Sequence, residues 1–365
     1  MAHRGYEIVK YSPELKPQII QLQTHLWSRD LDVNCAYFRW KYEENPYCPE
    51  PLVHLALHDG QVVGMRGMCG ARWQVGAPPE TFLAPYADDL VVAPEHRDRG
   101  LFTRIMRASL DELAGRGLDY VFNLSAGRVT SIGSLSMGWK SAGGMRPVGR
   151  RSRRVLMQQR LSKLWARPRR GPFARLDRAD GQVWKYGRTT VSLSTNARPE
   201  AMEHLIARLR LDGRFRHVRD TAYFTWRFRN PFREYRFLYA GDDPLVGYMV
   251  LQCQRGGGGG EPARVNVVDW QATEPSIRET LLDVALKGAF AELVIWTATL
   301  DAETCDLLRR RSFAPVDEAD AARGVPGVLI RPVRDDALRT EWSIGGRRLL
   351  DLANWDVTML YSMHG

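Results

Sequence analysis

The sequence predicts an α/β (α+β) protein made of two related halves, each a mixed central sheet flanked by helices. Size is the first observation: 365 residues exceed one ordinary core and suit two domains of roughly 150–180 residues. The second is an internal repeat. Residues 36–46 read Ala-Tyr-Phe-Arg-Trp-Lys-Tyr-Glu-Glu-Asn-Pro, followed by Tyr47, and residues 222–231 read Ala-Tyr-Phe-Thr-Trp-Arg-Phe-Arg-Asn-Pro, followed by Phe232. They match after one deletion. The third is the order of elements around each copy. A helical pattern precedes the match (Pro13 to Leu26, and Pro199 to Leu211), and alternating strand-like residues follow it.

The strands are delimited by turn chemistry. Val53 to Leu57 and Gln61 to Met68 flank His58-Asp59-Gly60, a strong hairpin signal. In the second copy Tyr235 to Ala240 and Leu245 to Gln252 flank Gly241-Asp242-Asp243-Pro244. The five glycines at 256–260 read as a hairpin tip, because Val265-Asn-Val-Val beyond them is strand-like and no helix follows. The repeated aromatic and Asn-Pro elements read as core and turn, with a cleft lining as the alternative.

Composition bounds the function. At 44% hydrophobic and 26% charged residues the chain has the make-up of a soluble globular protein. No apolar run nears the ~18 residues of a membrane span, and the opening ten residues hold no signal-like stretch, so a cytoplasmic location is expected. Five scattered cysteines with no CxxC argue against a disulfide frame or a zinc site, and no histidine spacing suggests a metal. The net charge of +10 is local: eleven Arg or Lys residues and no acid lie between Arg146 and Arg175, leaving 41 basic and 42 acidic residues elsewhere. Within that segment Met157, Leu161, Leu164 and Trp165 share one helical face. The expected division is 1–149, a basic linker at 150–185, and 186–365.

One stretch carries chemistry. Leu90 to Val92 is strand-like, Pro94 ends it, and Arg104 to Ala114 is helical with Ile105, Met106, Leu110 and Leu113 on one face. A strand-to-helix loop with Gly100 at the turn offers free N–H groups at the positive end of a helix, suited to phosphate. Arg97 and Arg99 add charge. Taken with Leu-Val-Val-x-Pro before it, Arg97-x-x-Gly100-x-Phe102 within it, and Met137-Gly138-Trp139 beyond the next strand (Tyr120 to Leu124), this resembles the GNAT superfamily of acyl-CoA N-acyltransferases. The likeness covers residues 6–145 well and 190–335 in outline, a tandem arrangement with a degenerate second copy.

The resemblance implies a donor, acetyl-CoA or another acyl-CoA, and no metal. Backbone groups of Leu90, Val91 and Val92 would hold the acyl and pantetheine arm. N–H groups of Asp98, Arg99, Gly100, Leu101, Phe102 and Thr103 would cradle the pyrophosphate. The amine attacks the thioester directly in this family, so no nucleophile set is needed. Four departures stand out. Phe102 replaces a small residue of the phosphate motif. Ser134 replaces the tyrosine that protonates the leaving thiolate, and Gly127, with Arg128 adjacent, replaces an asparagine. Asn123 stands where some members place a glutamate, and a neutral amide is no base. The base then falls to Asp89 or Asp88, expected on opposite strand faces, with Asp89 ahead because Asp269 recurs in the second copy. There Gly100 aligns with Thr280, beside Glu274 and Glu279, so a cofactor-free copy is expected.

Three functions fit. The first is acyl transfer to an amine of a sugar, natural product or cell-envelope precursor. The second is a Fem-type ligase fed by aminoacyl-tRNA, for which the basic linker gives motive but the intact loop at 97–103 does not. The third is a CoA-binding protein without turnover. The basic segment itself suits a plain tether, a polyanion or an anionic membrane surface.

Overall fold

The computed structural model describes residues 5–152, 181–187, 189–254, 264–288, 290–316, 327–334 and 342–362, together with Met157, Phe173 and Leu176. Apart from Met157, the linker helix expected around 155–165 lies outside the described residues, as does the glycine tip at 256–260.

The first half opens on β1 (Tyr6–Lys10), α1 (Lys16–Leu22) and α2 (Leu31–Phe38), the last running into a wide π-helical turn, Arg39–Glu43. A meander follows: β2 (Leu52–His58), β3 (Gln61–Cys69), the short hairpin β4 (Arg72–Val75) and β5 (Glu80–Leu83), then β6 (Tyr86–Val92). Next come α3 (Leu101–Gly115), β7 (Tyr120–Asn123), α4 (Arg128–Leu135), β8 (Lys140–Gly144) and β9 (Pro147–Arg151). The second half runs β10 (Val183–Tyr186), β11 (Thr189–Ser194), α5 (Pro199–Arg208), β12 (Arg216–His217), α6 (Thr221–Arg227), β13 (Arg233–Ala240) and β14 (Gly247–Gln254). It continues through β15 (Arg264–Ala272), α7 (Pro275–Lys287), β16 (Glu292–Trp296) and α8 (Ala302–Arg310). Four short strands finish it: β17 (Ala314–Pro315), β18 (Gly327–Pro332), β19 (Ser343–Ile344) and β20 (Arg347–Arg348).

Local chemistry accounts for these elements. Asp59 and Gly60 take φ values of 50° and 75°, the paired left-handed turn that Asp-Gly favours between twisted strands. Asp30 caps α2 by accepting the N–H groups of Asp32 and Val33. In α3, Leu101, Ile105, Met106, Leu110 and Leu113 are buried on the sheet, the periodic face read from sequence. No helix among the described residues is long and apolar enough to cross a membrane.

The first sheet has the order β1-β2-β3-β6-β7-β18-β8, and the second β10-β11-β13-β14-β15-β16-β9-β17. Each therefore holds a strand from the other half. β18 lies antiparallel between β7 and β8, pairing Leu329 with Asn123 and with Ser141. β9 pairs with β16, setting Arg151 opposite Glu292. A cut at 149/150 would fall inside β9, and Arg150 and Arg151 are strand residues. The Arg151 Nε donates to Glu292 Oε1 at 2.8 Å, so a charge unopposed along the sequence is opposed in space.

The repeated aromatic motifs meet across the join. Trp40 and Trp226 stack at 4.9 Å with planes 11° apart. Each indole N–H donates to the other's backbone carbonyl, at 2.7 and 2.6 Å. Asn45 and Asn230 each accept the N–H two residues on, from Tyr47 and Phe232. Core and turn, not a cleft lining, is what the repeat builds. β12 joins β4 and β5 in a third sheet that bridges the halves, and Arg72 of β4 pairs with Asp220 before α6.

His217 sits inside this join, tilted against Tyr223 at 4.4 Å and Tyr361 at 5.3 Å, its Nδ1 2.9 Å from Val218 O. Burial pushes its imidazole down to about 3. The unfolded chain, with an ordinary value near 6.5, takes up that proton first, so stability falls as pH drops from about 6.5 toward 3. We expect acidification from pH 7 to pH 5 to remove about 2 kcal/mol through this group. Urea unfolding at the two pH values should show that loss, and a shallower one in His217→Gln; an equal slope in both proteins would contradict it.

Candidate functional site

β6 and β7 run parallel but pair only at Tyr86 and Phe122. Beyond that point they part. From Leu90 to Val92, β6 keeps its ladder with β3 through Leu90–Arg66, Val91–Met65 and Val92–Gly64. Alternate backbone groups of this stretch consequently face the gap on the β7 side. The separation coincides with a bulge: the register slips between Arg66–Leu90 and Gly67–Asp88, leaving Asp89 as the extra residue at φ 42°.

The gap leads to the loop before α3. Asp98 and Gly100 have φ of 59° and 71°, and Gly100 caps the helix. Among the described residues no acceptor meets the N–H groups of Asp98, Arg99, Gly100, Leu101, Phe102 or Thr103. A Cβ built on Gly100 would touch nothing within 4 Å, so the space over the helix start is open. The loop is nevertheless fixed. Tyr6 O–H lies 2.8 Å from His96 Nδ1, Arg104 donates to Tyr6 O at 2.8 Å, and Arg97 Nε donates to Val92 O at 3.3 Å. Tyr6 and His96 were not legible as loop supports. Phe102 turns its ring under α4, where a Cβ on Gly133 would come within 3.2 Å of it, so the bulky residue leaves the amides clear. Free donors at a helix start, a left-handed glycine and exposed Arg97 and Arg99 suit a pyrophosphate.

The expected catalytic side chains are placed differently. Asp88 and Asp89 do not face opposite sides, because Asp89 is itself the extra residue of the bulge and breaks the alternation. Lys41, from the π-helical turn, donates to Asp88 Oδ2 at 2.8 Å, Asp89 Oδ1 at 2.9 Å and the Tyr37 hydroxyl oxygen at 3.0 Å. Tyr42 donates to Asp89 Oδ2 at 2.7 Å, and Ser125 to Asp88 Oδ1 at 3.0 Å. Lys41 is 0% exposed and Asp89 3%. Burial alone would push the Lys41 ammonium down, but Asp88 and Asp89 hold it well above the usual lysine range. Burial, helped by the Asp88 charge, raises Asp89 despite Lys41 and Tyr42. Each Asp89 oxygen already accepts a hydrogen bond, from Lys41 and from Tyr42, which ties the side chain to the bulge.

Asn123 is buried and accepts the Ser125 N–H at 2.9 Å, closing the turn after β7. Ser134 is 0% exposed, and among the described residues its hydroxyl meets no hydrogen-bond partner, so it is not presented to a thiolate. Lys41, Tyr42, Ser125 and the buried Arg66, which burial pushes down to about 10, were missed. A signal existed, since the repeat keeps a cation at Lys41 and Arg227.

The second half lacks the cradle. Only Thr273 and Glu274 separate β15 from α7, which starts at Pro275, a residue with no N–H. Thr280 is inside the helix, its hydroxyl donating to Ser276 O at 2.9 Å. Glu274, Glu279 and Glu303 line the cavity at this helix start, and Arg278 is drawn off to Asp301 at 2.6 Å. The buried Asp269 repeats the motif-strand carboxylate, paired with Arg219 at 2.8 Å and Tyr248 at 2.6 Å. Met359–Tyr361 packs against β15.

Residues 8–132 match the family model described as an acetyltransferase (GNAT) domain. That stretch is a GNAT domain. No curated protein sequence matches the chain. Among solved structures, a GCN5-related N-acetyltransferase from Anabaena variabilis superposes with TM-score 0.60 at 14% identity, covering 90% of this chain and 73% of that one. Eis1 from Mycobacterium abscessus gives 0.52 at 14% identity, covering 91% and 74%. A tandem GNAT protein from the clavulanic acid biosynthesis pathway gives 0.54 at 14% identity, covering 90% and 99%. The whole chain thus has the tandem GNAT fold, and the open cradle belongs to its GNAT domain.

Proposed function

We propose that the chain is an N-acyltransferase that takes an acetyl or other acyl group from acyl-CoA in its first half and passes it to the amine of a small molecule. The observation that carries this is the gap between β6 and β7 ending at the unpaired N–H groups of 98–103 on α3. The pyrophosphate sits on that cradle and the pantetheine arm runs along Leu90 to Val92. The amine nitrogen attacks the thioester carbon, the C–N bond forms, the C–S bond breaks and CoA leaves as thiol. A backbone N–H facing the gap stabilises the charge that builds on the carbonyl oxygen. With Asp89 engaged and Ser134 buried, the amine proton passes to water or to a carboxylate across the join between the halves.

Their engagement also favours a second reading, a CoA-binding protein without turnover. Release of CoA thiol from acetyl-CoA across a panel of amines separates the two. Tight CoA binding with no amine turned over would favour the second. Calorimetric titration should give one CoA per chain, since β15 meets α7 without a cradle; two comparable sites would refute that assignment.

A further inference from the structure

Two arginines share one cavity. Arg146 follows β8 and Arg348 ends β20. Both line a cavity of about 560 Å³ with Ala142, Ala298, Asp351 and Leu352, a volume in the range of small-molecule sites. Among the described residues neither guanidinium has a hydrogen-bond or ion-pair partner. Their neighbour Arg347 differs, donating to Asp212 O and Asn354 Oδ1. Asp351 is committed to its own turn, accepting the Ala353 N–H at 3.0 Å. Both arginines are exposed at this concavity, and the guanidinium fork matches carboxylate or phosphate oxygens.

The cavity lies at the reacting end of the first sheet. β7 and β8 both pair antiparallel with β18, so they run parallel to each other. Arg146 therefore leaves the sheet at the end where β6 and β7 separate. Ala142 packs with the cluster that contains Tyr86 and Phe122, whereas α3 covers the opposite face through Met106 and Leu110. The donor cradle and the cavity are thus on different faces of one sheet edge. Two strand spacings, roughly 10 Å, separate β8 from β7.

We propose that this cavity takes the anionic end of the acceptor, which is a small amine carrying a carboxylate or phosphate. The proposal rests on the acyl-transfer reading of the first half. Ala298 and Arg348 come from the second half, so the degenerate copy supplies the acceptor's recognition while the GNAT domain supplies the donor's.

The test uses the full chain with saturating acetyl-CoA and reads CoA thiol release. Alkylamines are compared with ω-aminoalkyl carboxylates and ω-aminoalkyl phosphates of equal length. The anionic members should show at least a tenfold higher kcat/KM, and the better of the two arms names the group. In Arg146→Gln/Arg348→Gln that preference should fall toward one, with acetyl-CoA affinity unchanged by calorimetry. Either single variant should move it in the same direction should the double variant fail to unfold cooperatively. No preference in the wild type, or a preference kept in the variants, overturns the proposal. If no amine reacts at all, the acyl-transfer reading fails and the cavity is judged alone by titration with inorganic phosphate and glutarate. Saturable binding lost in the double variant then keeps the anion site; equal binding by both proteins, or none by either, removes it.

Discussion

Gly100→Glu should abolish measurable CoA binding, a loss of at least a hundredfold, in a chain that still folds. Gly100 holds φ 71° at the start of α3, and its missing side chain opens onto empty space. A Cβ there meets no protein atom within 4 Å, so the main cost to the fold is about 1–2 kcal/mol for a left-handed non-glycine residue. The ligand loses far more. The side chain occupies the approach to six free N–H groups and sets a negative charge within ~5 Å of a pyrophosphate. At an effective dielectric near 20, each such pair costs about 3 kcal/mol. Gly100→Ala carries the same backbone cost without the charge and should weaken CoA much less. Calorimetry on both variants, beside thermal unfolding, checks this. Wild-type CoA affinity in folded Gly100→Glu would remove the pyrophosphate from this loop.

That loop was legible because its determinants are local: a strand, a proline, Gly100 and a periodic helix lie within about twenty residues of one another. The hairpin at Asp59-Gly60 and the duplication were legible for the same reason. The strand exchange was not. Leu329 pairs with Asn123 across some two hundred residues, and neither strand's own residues say which sheet will take it. The bulge was missed for a different reason. Reading Asp88 and Asp89 as opposite-facing assumes an unbroken two-residue alternation, and one extra residue cancels that assumption. Lys41 was hidden in an aromatic run, where a cation reads as solvent-exposed unless its buried partners are known. Asp269 misled in turn. It recurs with its own cation and tyrosine, Arg219 and Tyr248, the pattern a framework residue would show.

Asp89→Asn should accordingly cost stability first. The side chain is buried, both its oxygens are bonded, and the amide would leave the Lys41 ammonium with Asp88 alone. Removing one partner of a buried pair costs about 3–5 kcal/mol, because the remaining charge stays out of water. Lys41→Met should cost as much or more, since it strands two adjacent carboxylates. The double variant decides between framework and base. If the three groups act as a unit, Lys41→Met/Asp89→Asn loses much less than the two single losses combined, with a coupling of roughly 1–3 kcal/mol. Chemical unfolding of the four proteins measures it. A catalytic base behaves otherwise: Asp89→Asn would then unfold like the wild type while turnover on a small amine dropped by about 10²–10⁴. In the framework role, any lost turnover follows the population of folded chain and the geometry of the bulge. Because the bulge sits where β6 parts from β7, a folded Asp89→Asn should bind CoA more weakly as well, an effect that loss of a base alone would not produce.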